Sequence, residues 1–316
     1  MTSRTILIAI VCGLIAALLF LSPLTLGGMG LVMSSFTALP LLIAVMGFGT
    51  VVGIISGVVA AGAVAIFFGP LGAASVLFAT LAPALWIGHS VGLSRNDSGV
   101  EEWFPLSQIL FRLTIISALI VTAMGIITGY SQEWALNQSL SMMGQITELQ
   151  QNNGDGAQLI DQAAMEARAR DIAVLIPYML PVSILLLMVI NLRLAERFVR
   201  RRGWMLRPKD DIPATANMPS IASAIFVVAA IISFANNDLG LIAKVIAGAF
   251  GGGFALVGLA TVHFVTRGLA ARPFILPIVY AVLLFSKFVA PVFAFIGLAE
   301  NLLHIRARTT RPPKST

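Results

Sequence analysis

Apolar positions run through this chain in long stretches broken by short polar punctuation, and those stretches set the expected elements. The first, 5–21, is 17 residues, at the short end of the roughly 17–25 that a transmembrane helix needs. It reads as a retained span. A cleaved leader has its small-residue site close behind the apolar core, and here the only passable one, Gly28-Met29-Gly30, lies beyond Ser22-Pro23. Gly27 to Gly30 read as a flexible turn. Residues 31–69 carry no charge over 39 residues, about twice one span, and divide into 31–46 and 49–68 at Gly47-Phe48-Gly49. Pro70 ends the second of these, and 71–90 makes a fourth span containing Pro83.

Further runs at 106–130, 172–192, 221–235 and 241–265 give the fifth to eighth spans; Pro177 and Pro181 lie in the sixth, and Asn236-Asn237-Asp238 separates the last two. The stretch 273–303 contains Pro277, Lys287 and Pro291. It is either one more span or a broken, re-entrant hairpin, a form tolerated where protein or water covers the freed backbone. The expected fold class is all-α: a polytopic transmembrane bundle of about eight or nine helices forming a single membrane domain, residues 1–316.

The polar segments add topology. Residues 91–105 read as a loop. Residues 131–171 hold six acidic side chains, with Leu136, Leu140, Met143, Ile146 and Leu149 repeating at the spacing of one helix face. Asn152-Asn153-Gly154-Asp155-Gly156 is a turn signal. A second helix from about Gln158 completes a helical hairpin standing at the membrane surface. Between Arg193 and Lys209 there are six arginines and one lysine, and 304–316 is a basic tail. Short loops rich in Lys and Arg stay cytoplasmic. This places the amino terminus inside, the 131–171 hairpin outside, and the protein in a bacterial inner membrane. The rule favours a cytoplasmic tail, whereas one simple further span would put it outside; both readings stay open.

Composition agrees: 58% of residues are hydrophobic, 11% are charged and the mean hydropathy is +0.94, against about 25% charged in a soluble domain. The net charge of +6 sits in a few short loops, which points to the lipid bilayer as partner and not to nucleic acid. Cys12 stands alone and His89, His263 and His304 lie far apart, so no disulfide, metal motif or cofactor site is expected. Gly-Lys occurs nowhere, which excludes a phosphate-cradling loop, and Gly47-x-Gly49 has Val52 where a dinucleotide fingerprint needs glycine. Gly88-His89-Ser90-Val91-Gly92 fits the letters of a nucleophile elbow, but that motif requires a preceding strand, and an apolar helix precedes it here. No enzyme is expected.

Rows of small residues recur at intervals of four: Ala9, Gly13 and Ala17; Gly49, Gly53, Gly57 and Ala61; Ala243, Ala247, Gly251 and Ala255. Such rows let helices approach closely in lipid, within one bundle or against another subunit. Ionisable residues inside apolar stretches usually face a cavity or partner, and Lys287 is the foremost of these. Lys244 and Arg112 lie near span ends, within snorkelling reach of the surface. Glu300, His304 and Arg306 are spaced for local pairing. Tyr178, Tyr280 and Asn237 are pocket-lining types alongside Lys287.

Leu39-Pro40-Leu41, Gly47-Phe48-Gly49 and Gly297-Leu298-Ala299-Glu300 before Arg306 together resemble the YybS-like family of uncharacterised bacterial membrane proteins. That family is distantly similar to the substrate-binding subunits of energy-coupling factor vitamin transporters and to the rod-shape membrane proteins. The resemblance implies a substrate-binding subunit for small-molecule uptake, working with a membrane coupling subunit and a separate ATPase. The Ala9, Gly13, Ala17 row, with Gly49, Gly53 and Gly57, would then dock the partner. The alternative it implies is a non-transport scaffold in envelope or cell-shape assembly, with the hairpin as contact. The acidic hairpin and extra spans depart from a six-helix substrate subunit.

Overall fold

The computed structural model describes residues 2–97, 99–152, 162–285 and 289–309. Lys287 and most of the 152–156 turn signal lie outside these residues. Among the described residues five helices are long and apolar enough to cross a membrane, or six if one bent pair counts as a single span.

Helix α1, Ser3–Leu21, starts at a Thr2 cap whose hydroxyl accepts the Thr5 amide. The chain then doubles back. Helix α2, Pro23–Ser34, is kinked at Gly27 (φ 52°), a conformation open to glycine at little cost, and the Ser22 hydroxyl donates to the Gly30 carbonyl at 2.8 Å. The expected turn thus lies within a kinked helix. Helix α3, Ala38–Phe48, follows at a bend of 48°. The break has a cause: Pro40 fits only the first turn of a helix, and the Thr37 hydroxyl donates back to Ser34 O.

Helix α4, Thr50–Val76, passes through a π-helical turn at Leu77–Leu81 into α5, Ala82–Val91. This 42-residue run is not straight. Gly69 takes φ 68°, ψ −173° just before Pro70, and Thr50 Oγ1 lies 2.8 Å from His89 Nδ1. Its two ends therefore meet, and the run is an antiparallel hairpin. Residues 91–105, expected as plain loop, form a small antiparallel hairpin, β1 (Ser94–Asp97) and β2 (Val100–Trp103), that pairs Arg95 with Glu102. The sequence lacks the apolar alternation that announces a strand, and Gly99 at φ 84° supplies the tight turn.

Helix α6, Leu106–Thr128, leads away from this end to α7, Gln132–Asn152, which packs beside the start of the 40-residue α8, Gln162–Arg201. As the periodicity predicts, polar helix passes directly into apolar span. Asn191 of α8 is buried and donates to Ser35 O, tying α8 to the α2–α3 bend. After the basic loop come α9, Ile212–Thr215, and α10, Ser220–Ile232. At 13 residues, about 20 Å, α10 is too short to span alone. Its entrance is level with the middle of the next helix, α11 (Asp238–Val265), since the Met218 sulfur lies against Gly253.

Helix α12, Arg272–Phe285, stays near the end of α11, where Tyr280 bonds His263 at 2.8 Å. Helix α13, Val289–Leu303, then runs antiparallel to α11, Gly258 meeting Phe293 and Gly297 meeting Phe254. At His304, φ 49°, the chain turns into α14, Ile305–Thr309. Arg306 reaches back to Glu300 at 2.9 Å and donates to the carbonyls of Pro213 (2.9 Å) and Ala216 (2.7 Å). It thus satisfies backbone left open where α9 stops short of α10. Residues 286–288, between α12 and α13, lie outside the described residues; among the described ones the chain leaves helix at 216–219, between α9 and α10.

Three apolar clusters result among the described residues. One joins α1, α3, α4, α5, α6 and α8 around Leu41, Leu42 and Ile87; another joins α6, α10, α11 and α13 around Phe250 and Phe254; a small third sets Ala9, Ala44 and Val52 between α1, α3 and α4.

Candidate functional site: two cavities on one helix seam

Helices α6, α8 and α11 meet along a seam, and a cavity opens at each end of it. The first, about 580 Å³, lies beside α7, at the end away from the basic loop. Its walls are apolar: Val121 and Met124 from α6, Leu180 and Ile184 from α8, Leu241 and Val245 from α11. Tyr130, Trp134 and Asp238 complete the lining.

Local sequence fixes Tyr130. Gly129 adopts the left-handed conformation (φ 65°) after α6, and the Tyr130 amide donates to Gly125 O at 2.8 Å. This is the six-to-one bond of a glycine-terminated helix. It turns the phenol inward, with its ring 5.1 Å from that of Trp134. The Tyr130 hydroxyl is buried and has no hydrogen-bond partner among the described residues. As a phenol it is both donor and acceptor, and left buried and unpaired it costs about 1–3 kcal/mol.

The second cavity, about 840 Å³, opens at the basic-loop end. Its floor includes Ile109, Leu113, Leu256 and Leu259, and its rim is charged. Arg207 is buried and bonds Asp210 (2.7 Å) and the Phe104 carbonyl (2.9 Å). Glu196 lies between Arg193 and Arg200. Arg267 grips Asp211 through both carboxylate oxygens. That hydrogen bond holds the Asp211 carboxyl below its usual range. The pair therefore contributes stability above the unfolded carboxyl pKa and loses it as pH falls through the lower folded value. The difference in Tm between wild type and Asp211→Asn, small for an exposed pair, is expected to persist at pH 7 and to close below about pH 4, read by thermal unfolding in detergent.

The pocket candidates from sequence are not gathered into one site. Tyr280 lines the basic-end cavity. Asn237 is at the opposite end, its side chain accepting the Gly240 amide at 2.8 Å as the α11 cap, and its neighbour Asp238 lines the other cavity. Tyr178 lies on α8 between Pro177 and Leu180 of the outer cavity's lining, with its backbone against Gly248. Lys287 lies outside the described residues. Ala9 and Ala17 are buried, and Gly13 faces Ser56 and Val59 of α4. Gly53 faces Val45, Gly57 faces Leu41, and Gly49, φ 96°, separates α3 from α4. Apart from Gly49, these positions meet neighbours within the chain itself.

Lys244, expected to reach the surface along its stem, is buried. Arg112 instead donates to Ser90 at 2.8 Å and lies 4.3 Å over the Phe104 ring. Ser90, buried in α5, donates to Trp86 O, so the nucleophile-elbow letters sit in continuous helix. Tyr130 and Trp134 escaped the sequence reading. Their available signal was a glycine-aromatic pair directly after an apolar run.

Residues 14–300 match the model of a family described as "Predicted membrane protein (DUF2232)". No curated protein and no solved structure matches the chain.

Proposed function

The chain belongs to the DUF2232 family of predicted membrane proteins, and we propose that it acts there as a small-molecule-binding subunit of the bacterial inner membrane. The observation that carries this reading is the apolar cavity of about 580 Å³ between α6, α8 and α11, with Tyr130, Trp134 and Asp238 in its lining. A concave, mostly apolar site with a few convergent polar groups is the usual form of a small-molecule pocket. The ligand class is a largely apolar molecule carrying at least one hydrogen-bonding group.

Loop charge supplies the orientation. The Arg193–Lys209 loop is cytoplasmic, the amino terminus lies inside, and the α7–α8 hairpin with its cavity faces outward. On this reading the described helices make eight crossings, with α9 and α10 together forming one of them and α13 a ninth, partial element. A tag near Arg201 that reacts with impermeant reagents in intact cells would reverse this assignment.

Energy for uptake would come from a membrane coupling subunit and a separate ATPase, since the chain carries no phosphate-cradling loop of its own.

The test is ligand recovery. Protein extracted from native membranes into nanodiscs is denatured, and the released small molecules are compared by mass spectrometry with those from Leu241→Trp, which fills the cavity. A species present in wild type and depleted at least about tenfold in the variant, the equivalent of about 1.4 kcal/mol, is expected. Recovery of nothing cavity-dependent would refute the reading. The scaffold alternative rests on α7, a polar helix with Trp134 partly exposed beside the spans. Deleting 138–161, which keeps Trp134 in the chain, and losing a membrane partner while the bound species is retained would favour it.

A further inference from the structure

The two cavities share their walls. Helix α6 contributes Leu113 to one and Val121 to the other, α8 contributes Val189 and Ile184, and α11 contributes Leu256 and Val245. Between them the seam is closed by glycine. A Cβ at Gly253 would stand 2.7 Å from Thr114 Oγ1, and one at Gly252 would stand 3.4 Å from a Leu185 methyl. The Gly248–Tyr178 contact lies one turn or more further out, beside the outer cavity that Pro177, Leu180 and Ile184 line.

The facing helix is weakened beside this closure. Pro177 and Pro181 of α8 flank Tyr178, and neither proline donates an amide to the turn before it, a common cause of helix bending. Leu185 lies one turn beyond Pro181, so a bend of α8 at its prolines would act on this contact.

We infer that the cavities are the two ends of a single path through this chain, and that the contact of Gly252 and Gly253 with Leu185 and Thr114 is its gate. This rests on the small-molecule reading above and extends it. The molecule held beside Tyr130 crosses between α6, α8 and α11 of this chain, with the floor of the 840 Å³ cavity receiving its apolar body and the charged rim its polar end. Opening requires α8 to bend away from α11 at its prolines; no covalent step is involved.

The experiment uses the sole cysteine to advantage, because Cys12→Ser leaves a thiol-free background. Single cysteines are placed at Leu241 and Leu259 (one per cavity), at Thr114 (the gate) and at Ala16, a fully buried control in the cluster around Leu41. Each is reacted with a small charged thiosulfonate in right-side-out and inverted vesicles. A gate open in a minor fraction of molecules makes T114C react from both faces, at least about tenfold faster than A16C, which is exposed only by larger unfolding. Should T114C fail to fold, L185C reports the same contact from α8. Gate thiols no faster than A16C would overturn the path. Ligand recovery on the same preparations separates the two readings: an unreactive gate with bound species present ends the path and spares the binding site, and a reactive gate with nothing bound does the reverse.

Discussion

Replacing Gly297 with valine is expected to abolish the stable fold in detergent. Its Cβ would stand 1.9 Å from the Phe254 carbonyl oxygen and 2.8 Å from the Gly258 nitrogen. Both are backbone atoms of α11, so no flexible side chain can yield. The reciprocal position is as tight, with a Cβ on Gly258 2.0 Å from the Phe293 carbonyl oxygen. Overpacking a core usually costs about 1–3 kcal/mol, and separating two helix backbones takes it to the top of that range or beyond. Against a total stability of about 5–15 kcal/mol, that loss is decisive. Gly297→Ala should show a smaller drop in Tm. Gly62→Ala is the control: nothing lies within 4 Å of its added carbon, and alanine is the better helix former by about 1 kcal/mol, so Tm should hold or rise. A valine variant eluting as folded monomer with wild-type Tm would contradict the α11–α13 packing.

Arg306→Met is the second large expected effect. It leaves Glu300, 3% exposed, without its cation and frees the carbonyls of Pro213 and Ala216 at the α9–α10 break. Breaking a buried ion pair from one side costs about 3–5 kcal/mol. Removing both charges with Glu300→Met and Arg306→Met should recover part of this, because no buried charge then stands alone. Recovery stays incomplete, since the two carbonyls remain open at about 1–3 kcal/mol each. Thermal unfolding of the two single variants and the double variant completes the comparison. A double variant no more stable than Arg306→Met would show that the carbonyls, and not the carboxylate, set the cost.

Hydrophobic length and punctuation made much of this architecture legible. The apolar runs, the stop at Pro70 and the passage of a polar helix into the span of α8 all follow from local periodicity and from backbone chemistry at proline and glycine. Contacts distant in sequence were not legible. Arg306 closes a helix break some 90 residues earlier, and nothing near either segment announces it. Periodicity marked a span at 221–235 without showing that α10 starts halfway along its neighbour, because an apolar half-helix and the end of a whole one look alike. Small-residue rows revealed close approach but not the partner; whether Gly13 meets another chain or Val59 is decided by tertiary packing. The cavities are absences between three helices, so no residue type encodes them. Asn237 was of pocket-lining type, yet its geometry is that of a helix cap.

The reversal at Gly69 bears on how the protein enters the membrane during synthesis. Between Arg4 and Arg95 the chain has no Asp, Glu, Lys or Arg, so the insertion machinery meets several apolar segments with no charged flank to orient any of them singly. The α4–α5 arms would be released into lipid together, as a hairpin already closed through Thr50 and His89, and their direction would be settled only when Arg95 and the β1–β2 loop emerge from the ribosome. Leu71→Lys, at an exposed position beside the turn, would give the nascent chain an earlier and conflicting orientation signal, and the damage would arise during biogenesis while the finished bundle accommodates the side chain.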